Sequence, residues 1–173
     1  QIVKFNCQQT GNWQTIDART QEKLAEKNLD LFVKFGMNLL RDPNLLRAKY
    51  GVLSFHHGDP TKFRGRPAGF YELKQHADEI GAVVQELSNH LDAGQIRAFG
   101  KYQIYAHSYR RTLEALYANS ASLLRQAILN CLDERTLNIV PSGKNYRLPT
   151  NFGVMHFSLL MIIRKVKRLF FGL

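Results

Sequence analysis

Short apolar runs alternate along the chain with longer segments of helical spacing, an order that predicts strands interleaved with helices in an α/β fold. Residues 2–6 form a β-prone run. A turn-rich Gly11-Asn12 stretch follows, and residues 17–27, rich in strong helix formers, read as a helix capped by Asp17. Residues 29–35 are almost continuously apolar, the pattern of a strand covered on both faces in a parallel sheet. Asp42-Pro43 opens a short helix to about Lys49, with proline at the first helical position after an aspartate cap. Residues 50–56 read as the next strand. That strand turns polar at its end, through Ser54, His56, His57 and Asp59, and in open α/β sheets ligands sit in the crevice beyond the strand C-termini.

Further on, residues 63–70 form a basic loop punctuated by Gly and Pro that leads into a short helical stretch at Tyr71, Glu72 and Leu73. Residues 82–87 are strand-like, Asp92-Ala93-Gly94 turns the chain, and residues 96–104 supply a strand partner. From Ser108 to Leu132 the apolar positions Leu113, Leu116, Ser120, Leu124, Ala127 and Ile128 recur with helical spacing, which predicts one long amphipathic helix. No internal repeat interrupts this order. At 173 residues, with 45% hydrophobic and 22% charged side chains, the chain is sized and composed for a single globular core. The longest uninterrupted apolar stretch near the C-terminus, residues 159–163, is too short to cross a bilayer.

Charge divides the chain in two. Lys and Arg total 24 against 14 acids, a net +10. No acid follows Glu134, and seven cations do, which leaves +3 for residues 1–134. A nucleic-acid enzyme would carry its basic stripe across the site-bearing body, so direct nucleic-acid binding is not expected. The division instead suggests a catalytic body over residues 1–133 and a basic extension over 134–173. Two distant cysteines, Cys7 and Cys131, form no CxxC pair, which argues against a disulfide framework or a zinc ribbon and fits a cytoplasmic setting.

Four motifs stand in order: Leu53-Ser54-Phe55-His56-His57, Lys62-Phe63-Arg64-Gly65, Gly81-Ala82-Val83-Val84 and Leu91-Asp92-Ala93-Gly94-Gln95-Ile96. Over roughly residues 25–130 the chain resembles the folate-dependent formyltransferases, which act on glycinamide ribonucleotide, methionyl-tRNA and amino sugars attached to nucleotides. The resemblance implies a Rossmann-like formyltransferase fold with a mostly parallel sheet flanked by helices. It also implies 10-formyltetrahydrofolate as formyl donor, with no metal. In the family the first motif reads Asn-x-His and the last Asp-x-Gly-x-Ile. His56 and Asp92 match, and Ser54 stands where the asparagine is expected.

In such chemistry an amine attacks the formyl carbon and negative charge develops on the formyl oxygen, where placed donors stabilise it. Residues two apart on a strand share a face, so Ser54 and His56 are expected to converge on one centre, with Asp92 orienting the imidazole. Serine is a shorter donor than an amide, and losing one such donor costs about 2.7–4 kcal/mol. The resemblance further implies a folate pocket at Met37, Asn38 and Leu40, closed by Leu91 and Asp92. Arg64 and Arg66 are the candidate holders of a substrate phosphate, although a solvated loop explains them equally well. His57 and Asp59 show no metal-ligand pattern, and Ser54 lies in no Gly-x-Ser-x-Gly elbow.

Family members begin with further strand–helix units, so the sequence is expected to be truncated at its N-terminus. Only about 40 residues follow the long helix, where the methionyl-tRNA enzymes carry a β-barrel. A small amine acceptor, such as an amino-sugar nucleotide, is therefore expected. The alternatives are a 10-formyltetrahydrofolate hydrolase and a non-catalytic folate-binding or scaffolding protein, the latter suggested by Ser54.

Residues 158–173 form a basic amphipathic helix, with Leu159, Ile162, Ile163, Val166, Leu169, Phe170 and Leu173 on one side and Arg164, Lys165, Lys167 and Arg168 largely around the other. This helix suits a peripheral membrane contact or a protein contact, a homodimer among the latter.

Overall fold

The computed structural model describes residues 4–88 and 94–171, together with Ile2. The first ordered pairing is a hairpin, β1 (Cys7–Thr10) against β2 (Trp13–Ile16), closed by the Gly11-Asn12 turn. The strand lies beyond the expected run at residues 2–6 because the two-residue turn fixes the register, pairing Thr10 with Trp13 and Cys7 with Ile16. Helix α1 (Ala18–Ala25) starts where expected, and the Asp17 carboxylate accepts from the Thr20 amide at 2.9 Å and its hydroxyl at 2.7 Å.

Strand β3 (Phe32–Lys34) follows, then β4 (Leu39–Leu40), which pairs parallel with β2. The strand expected to be covered on both faces is an edge strand. Among the described residues it pairs only with β5 (Val52–His56), and Val33 and Phe35 are 36% and 64% exposed. The helix expected after Asp42 is one 3-10 turn over Pro43–Leu46. Asp42 has φ +51°, outside the extended conformation an N-cap needs, and Arg47 at φ +53° ends the turn.

The chain continues through β6 (Phe63–Gly65), α2 (Phe70–Lys74), β7 (Glu79–Glu86), β8 (Ile96–Gln103), α3 (Tyr109–Leu132), β9 (Lys144–Tyr146) and α4 (Asn151–Phe171). The main sheet has the order β3-β5-β7-β8. The α/β architecture is present, with mixed pairing in place of a mostly parallel sheet. β3–β5, β2–β4 and β6–β9 are parallel, whereas β5–β7 and β7–β8 are antiparallel. β8 returns directly alongside β7, and so short a return leaves no room for the crossover a parallel pair requires.

Helix α3, capped by Ser108, lies along β7 and β8 and buries Thr112, Leu116, Ser120, Ala127 and Cys131. Two clusters result, Leu53–Val84–Ala98–Ala127–Cys131 and Phe70–Leu73–Ile80–Leu116–Phe157. Glu86 and Arg97 pair through two contacts of 2.6 and 3.1 Å, and Arg97 also donates to the Arg135 carbonyl at 2.9 Å.

The segment after α3 crosses back over the body. β9 joins β6, and α4 docks through Phe157, whose ring lies 4.3 Å from Phe70 and 5.5 Å from Tyr109. The helix begins at Asn151, ahead of the expected residue 158; residues 172–173 lie outside the described residues. Arg164 donates to the carbonyls of Leu73 at 2.9 Å and Ala106 at 3.3 Å, and lies 2.7 Å from His76 Nδ1. Among the described residues no helix is long and apolar enough to cross a membrane. Because Phe157 is the buried anchor of α4, Phe157→Ala is expected to cost about 3–4 kcal/mol. In thermal melts followed by limited proteolysis, α4 should become cleavable before the sheet is lost.

Candidate active site

The end of β5 forms one wall of a cavity of about 780 Å³. Phe55 and His56 reach it from the strand, and the Phe55 ring is sandwiched between Phe35 at 5.8 Å and His57 at 5.6 Å. A second wall comes from the loop after β3, where Met37, Asn38 and Leu39 line the space. Two polar ties hold that loop. Lys34 Nζ donates to the carbonyls of Met37 at 3.2 Å and Asn38 at 2.9 Å, and the Asn38 amide donates to Gln14 Oε1 at 2.9 Å. Half-burial pulls the Lys34 ammonium below its ordinary pKa.

The third wall joins β6 to β9. Gly65 and Arg66 line it from one strand; Asn145, Tyr146, Arg147 and Leu148 line it from the other. Gly65 has φ +93°, and a Cβ there would collide with the Tyr146 carbonyl, so only glycine lets the strands meet. The Arg66 amide then donates to the Tyr146 carbonyl at 3.2 Å. Tyr146 stacks on Tyr71 at 4.1 Å, and its hydroxyl accepts from Gln75 at 2.6 Å. Lys34, Arg66 and Arg147 face this space with no carboxylate among the described residues that line it, a set of cations that suits an anion.

No family model matches the chain. A methionyl-tRNA formyltransferase of Ehrlichia ruminantium (strain Welgevonden) is 24% identical over 126 residues, 72% of this chain and 40% of that protein. Glycinamide ribonucleotide transformylase 1 from Symbiobacterium toebii superposes with a TM-score of 0.60 at 20% identity, covering 72% of this chain and 59% of that one. This is the formyltransferase fold. HypX from Aquifex aeolicus, in complex with tetrahydrofolic acid, has a TM-score of 0.55 at 17% identity over 85% of this chain and 26% of its own. The formyltransferase PseJ from Anoxybacillus kamchatkensis, in complex with UDP-4,6-dideoxy-4-formamido-L-AltNAc and tetrahydrofolate, has a TM-score of 0.53 at 16% identity, covering 70% and 66%. The chain thus spans 40% of the curated relative and about a quarter of HypX.

Within this formyltransferase fold, the expected residues Met37, Asn38, His56 and Arg66 line one cavity. Three others do not join them. Leu40 packs in a core cluster with Ile16, Leu46 and Val52, because side chains alternate along β4 and Leu39 is the one that faces the cavity. Ser54 is buried outside the lining, its hydroxyl 3.5 Å from the Phe55 carbonyl. Arg64 donates to the Gly143 carbonyl at 2.7 Å, which ties the tail segment to β6. Leu91 and Asp92 lie outside the described residues. Lys34, Tyr146 and Arg147 escaped the sequence reading. Lys34 was hidden in an apolar run, and the tail's lack of acids was the one signal for Arg147.

Beside the cavity lie two buried carboxyl groups, Asp59 and Glu72, and the half-buried His57. Asp59 Oδ1 accepts from the Thr61 amide at 2.9 Å and its hydroxyl at 2.6 Å, which fixes the turn after β5. His57 bonds Ser120 Oγ at 3.2 Å and meets Tyr117 edge-on, and burial, aided by neighbouring His56, pulls its pKa down to about 4. Glu72, 3% exposed, is pushed up to about 7, chiefly by burial and further by the Asp59 charge, against backbone hydrogen bonds that favour its ionised form.

These shifts have opposite signs. His57 contributes stability above its ordinary value of 6.5 that is lost as pH falls towards 4. Discounted for its partial exposure, that loss is expected to be about 1–2 kcal/mol in denaturant titrations. Glu72 holds its proton more tightly in the folded state, so it contributes stability at low pH that is lost as pH rises from 4.5 through about 7. Glu72→Gln should therefore be roughly 1–2 kcal/mol more stable than the parent at pH 8, with the gap narrowing at pH 5. Gly65→Ala should separate β9 from β6 and lower the melting temperature by about 4 °C or more, read by calorimetry.

Proposed function

We propose that this chain transfers a formyl group from 10-formyltetrahydrofolate to the primary amine of a small anionic substrate, with an amino-sugar nucleotide as the favoured acceptor. One observation carries the reading: His56, the loop at Met37 and Asn38, and two arginines, Arg66 and Arg147, line a single cavity with no carboxylate among the described residues of its lining. Its size lies within the range of cavities that enclose a ligand of this kind. The motifs and the shared fold support the same reading.

The residues fit the folate. When bound, 10-formyltetrahydrofolate supplies the formyl carbon and a leaving nitrogen. Met37, Leu39 and Phe55 offer apolar walls for its ring system, and backbone groups of the loop pinned by Lys34 offer polar contacts. His56 at the end of β5 is the group assigned to move the amine proton, and Asp92, by resemblance to the family, is assigned to orient its imidazole. Arg66 and Arg147 present forked donors to an acceptor phosphate. In this assignment residues 1–133 carry the chemistry and residues 134–173 close one wall of the site.

The burial of Ser54 outside the cavity favours a second reading, a folate-binding protein with weak or absent transfer, because the donor expected beside His56 is missing from the lining. Tetrahydrofolate release from 10-formyltetrahydrofolate, followed with and without a panel of amino-sugar nucleotides, separates the readings. Release that requires the amine, falls about a hundredfold or more in His56→Ala and is lost in Asp92→Asn is the expected result. Arg147→Ala should raise KM for a phosphorylated acceptor about tenfold while leaving kcat near the parent value. Amine-independent release would instead make the protein a hydrolase, and folate binding without release would favour the second reading.

A further inference from the structure

The face of α4 that meets the body combines Phe157 and Met161 with two arginines. Seven residues after the anchor Phe157, Arg164 lies on the same face and donates to two backbone carbonyls of the body, and Arg168, one turn further, lies 3.1 Å from His107 Nδ1. At about 100° per residue a second set of apolar positions falls on the opposite side. Phe152, Met155, Leu159, Ile162, Val166 and Phe170 are 45–79% exposed, a continuous stripe along most of the 21-residue helix. A contiguous apolar stripe of six large side chains is the kind of feature that marks an interaction surface, unlike apolar residues exposed singly.

The charges beside the stripe indicate what covers it. The helical period puts Lys165 along one border and Lys167 along the other, both exposed, and α4 contains no acid. None occurs anywhere after Glu134. A second copy pairing through the same face would bring no acid from α4 to meet these lysines. An anionic lipid surface answers both features: the acyl boundary takes the apolar side chains, while lysines on the borders extend their ammonium groups to lipid phosphates and carboxylates.

We propose that α4 seats this protein on anionic membranes, lying in the interface with the Phe152–Phe170 stripe towards the lipid. The inference is independent of the catalytic reading. Arg164 and Arg168 hold the helix to the body, Phe157 locks it, and the outward face is left for the bilayer.

Sedimentation with vesicles tests this, using the full chain with phosphatidylcholine alone or with about 30% phosphatidylserine. The chain is expected to sediment with the anionic vesicles and to bind at least tenfold more weakly to neutral ones or in about 0.5 M salt. Lys165→Gln/Lys167→Gln should weaken binding about tenfold or more, and Ile162→Gln/Val166→Gln should abolish it. All four side chains are exposed, so both double variants should keep the parent's melting temperature. Failure to sediment with anionic vesicles, or equal binding to neutral ones, overturns the proposal. So does a dimer in lipid-free buffer that Ile162→Gln/Val166→Gln converts to monomer, because a second copy would then cover the face.

Discussion

The close approach of β9 to β6 is the contact on which the cavity depends. It is possible because Gly65 carries no side chain beneath the Tyr146 carbonyl, and because Gly143 does the same over Lys62, where a Cβ would stand 2.5 Å from backbone atoms. The Gly143 amide donates to the Pro60 carbonyl at 3.0 Å, while its own carbonyl accepts from Arg64. With the strands joined, Tyr146 stacks on Tyr71 and Phe63, Arg147 faces the cavity, and α4 begins where Phe157 can reach Phe70. A residue far along the chain thus becomes part of a site whose other wall is the end of β5.

Charge is distributed by the same route. The acid-free segment after Glu134 carries cations with different destinations: Arg147 to the cavity, Arg164 and Arg168 to the body, and Lys165 and Lys167 to solvent. Arginine is used where several acceptors must be met at once, since its planar fork can donate to two carbonyls and an imidazole together. Lysine is left where a single mobile charge at the end of an apolar stem is useful.

Beside the cavity, polar groups are bonded in a way that holds the end of β5 in place. Asp59 caps its own turn, and His57 bonds to α3 while packing between Phe55 and Tyr117. His56 therefore projects from a strand end whose neighbours are held on both sides. Sequence reasoning identified His56 and this strand end, because an apolar run that turns abruptly polar is a local signal. It had no comparable signal for Ser54: two-residue spacing suggests a shared face with His56, but the strand ends at His56 and the burial around Ser54 is decided by its neighbours.

What the sequence determined by itself was local. The Asp17 and Ser108 caps, the spacing of α3, the strand ending at His56 and the amphipathic character of α4 follow from interactions within a few residues. Tertiary structure decided which strands became edges, which face of α4 met the body, that Leu39 rather than Leu40 faced the cavity, and that Arg147 joined Arg66 there. The physical reason is that periodicity records which side chains share a face, whereas the partner of each face is chosen by long-range pairing. In this chain that choice rests on two glycines whose missing side chains leave no mark in the hydrophobic pattern.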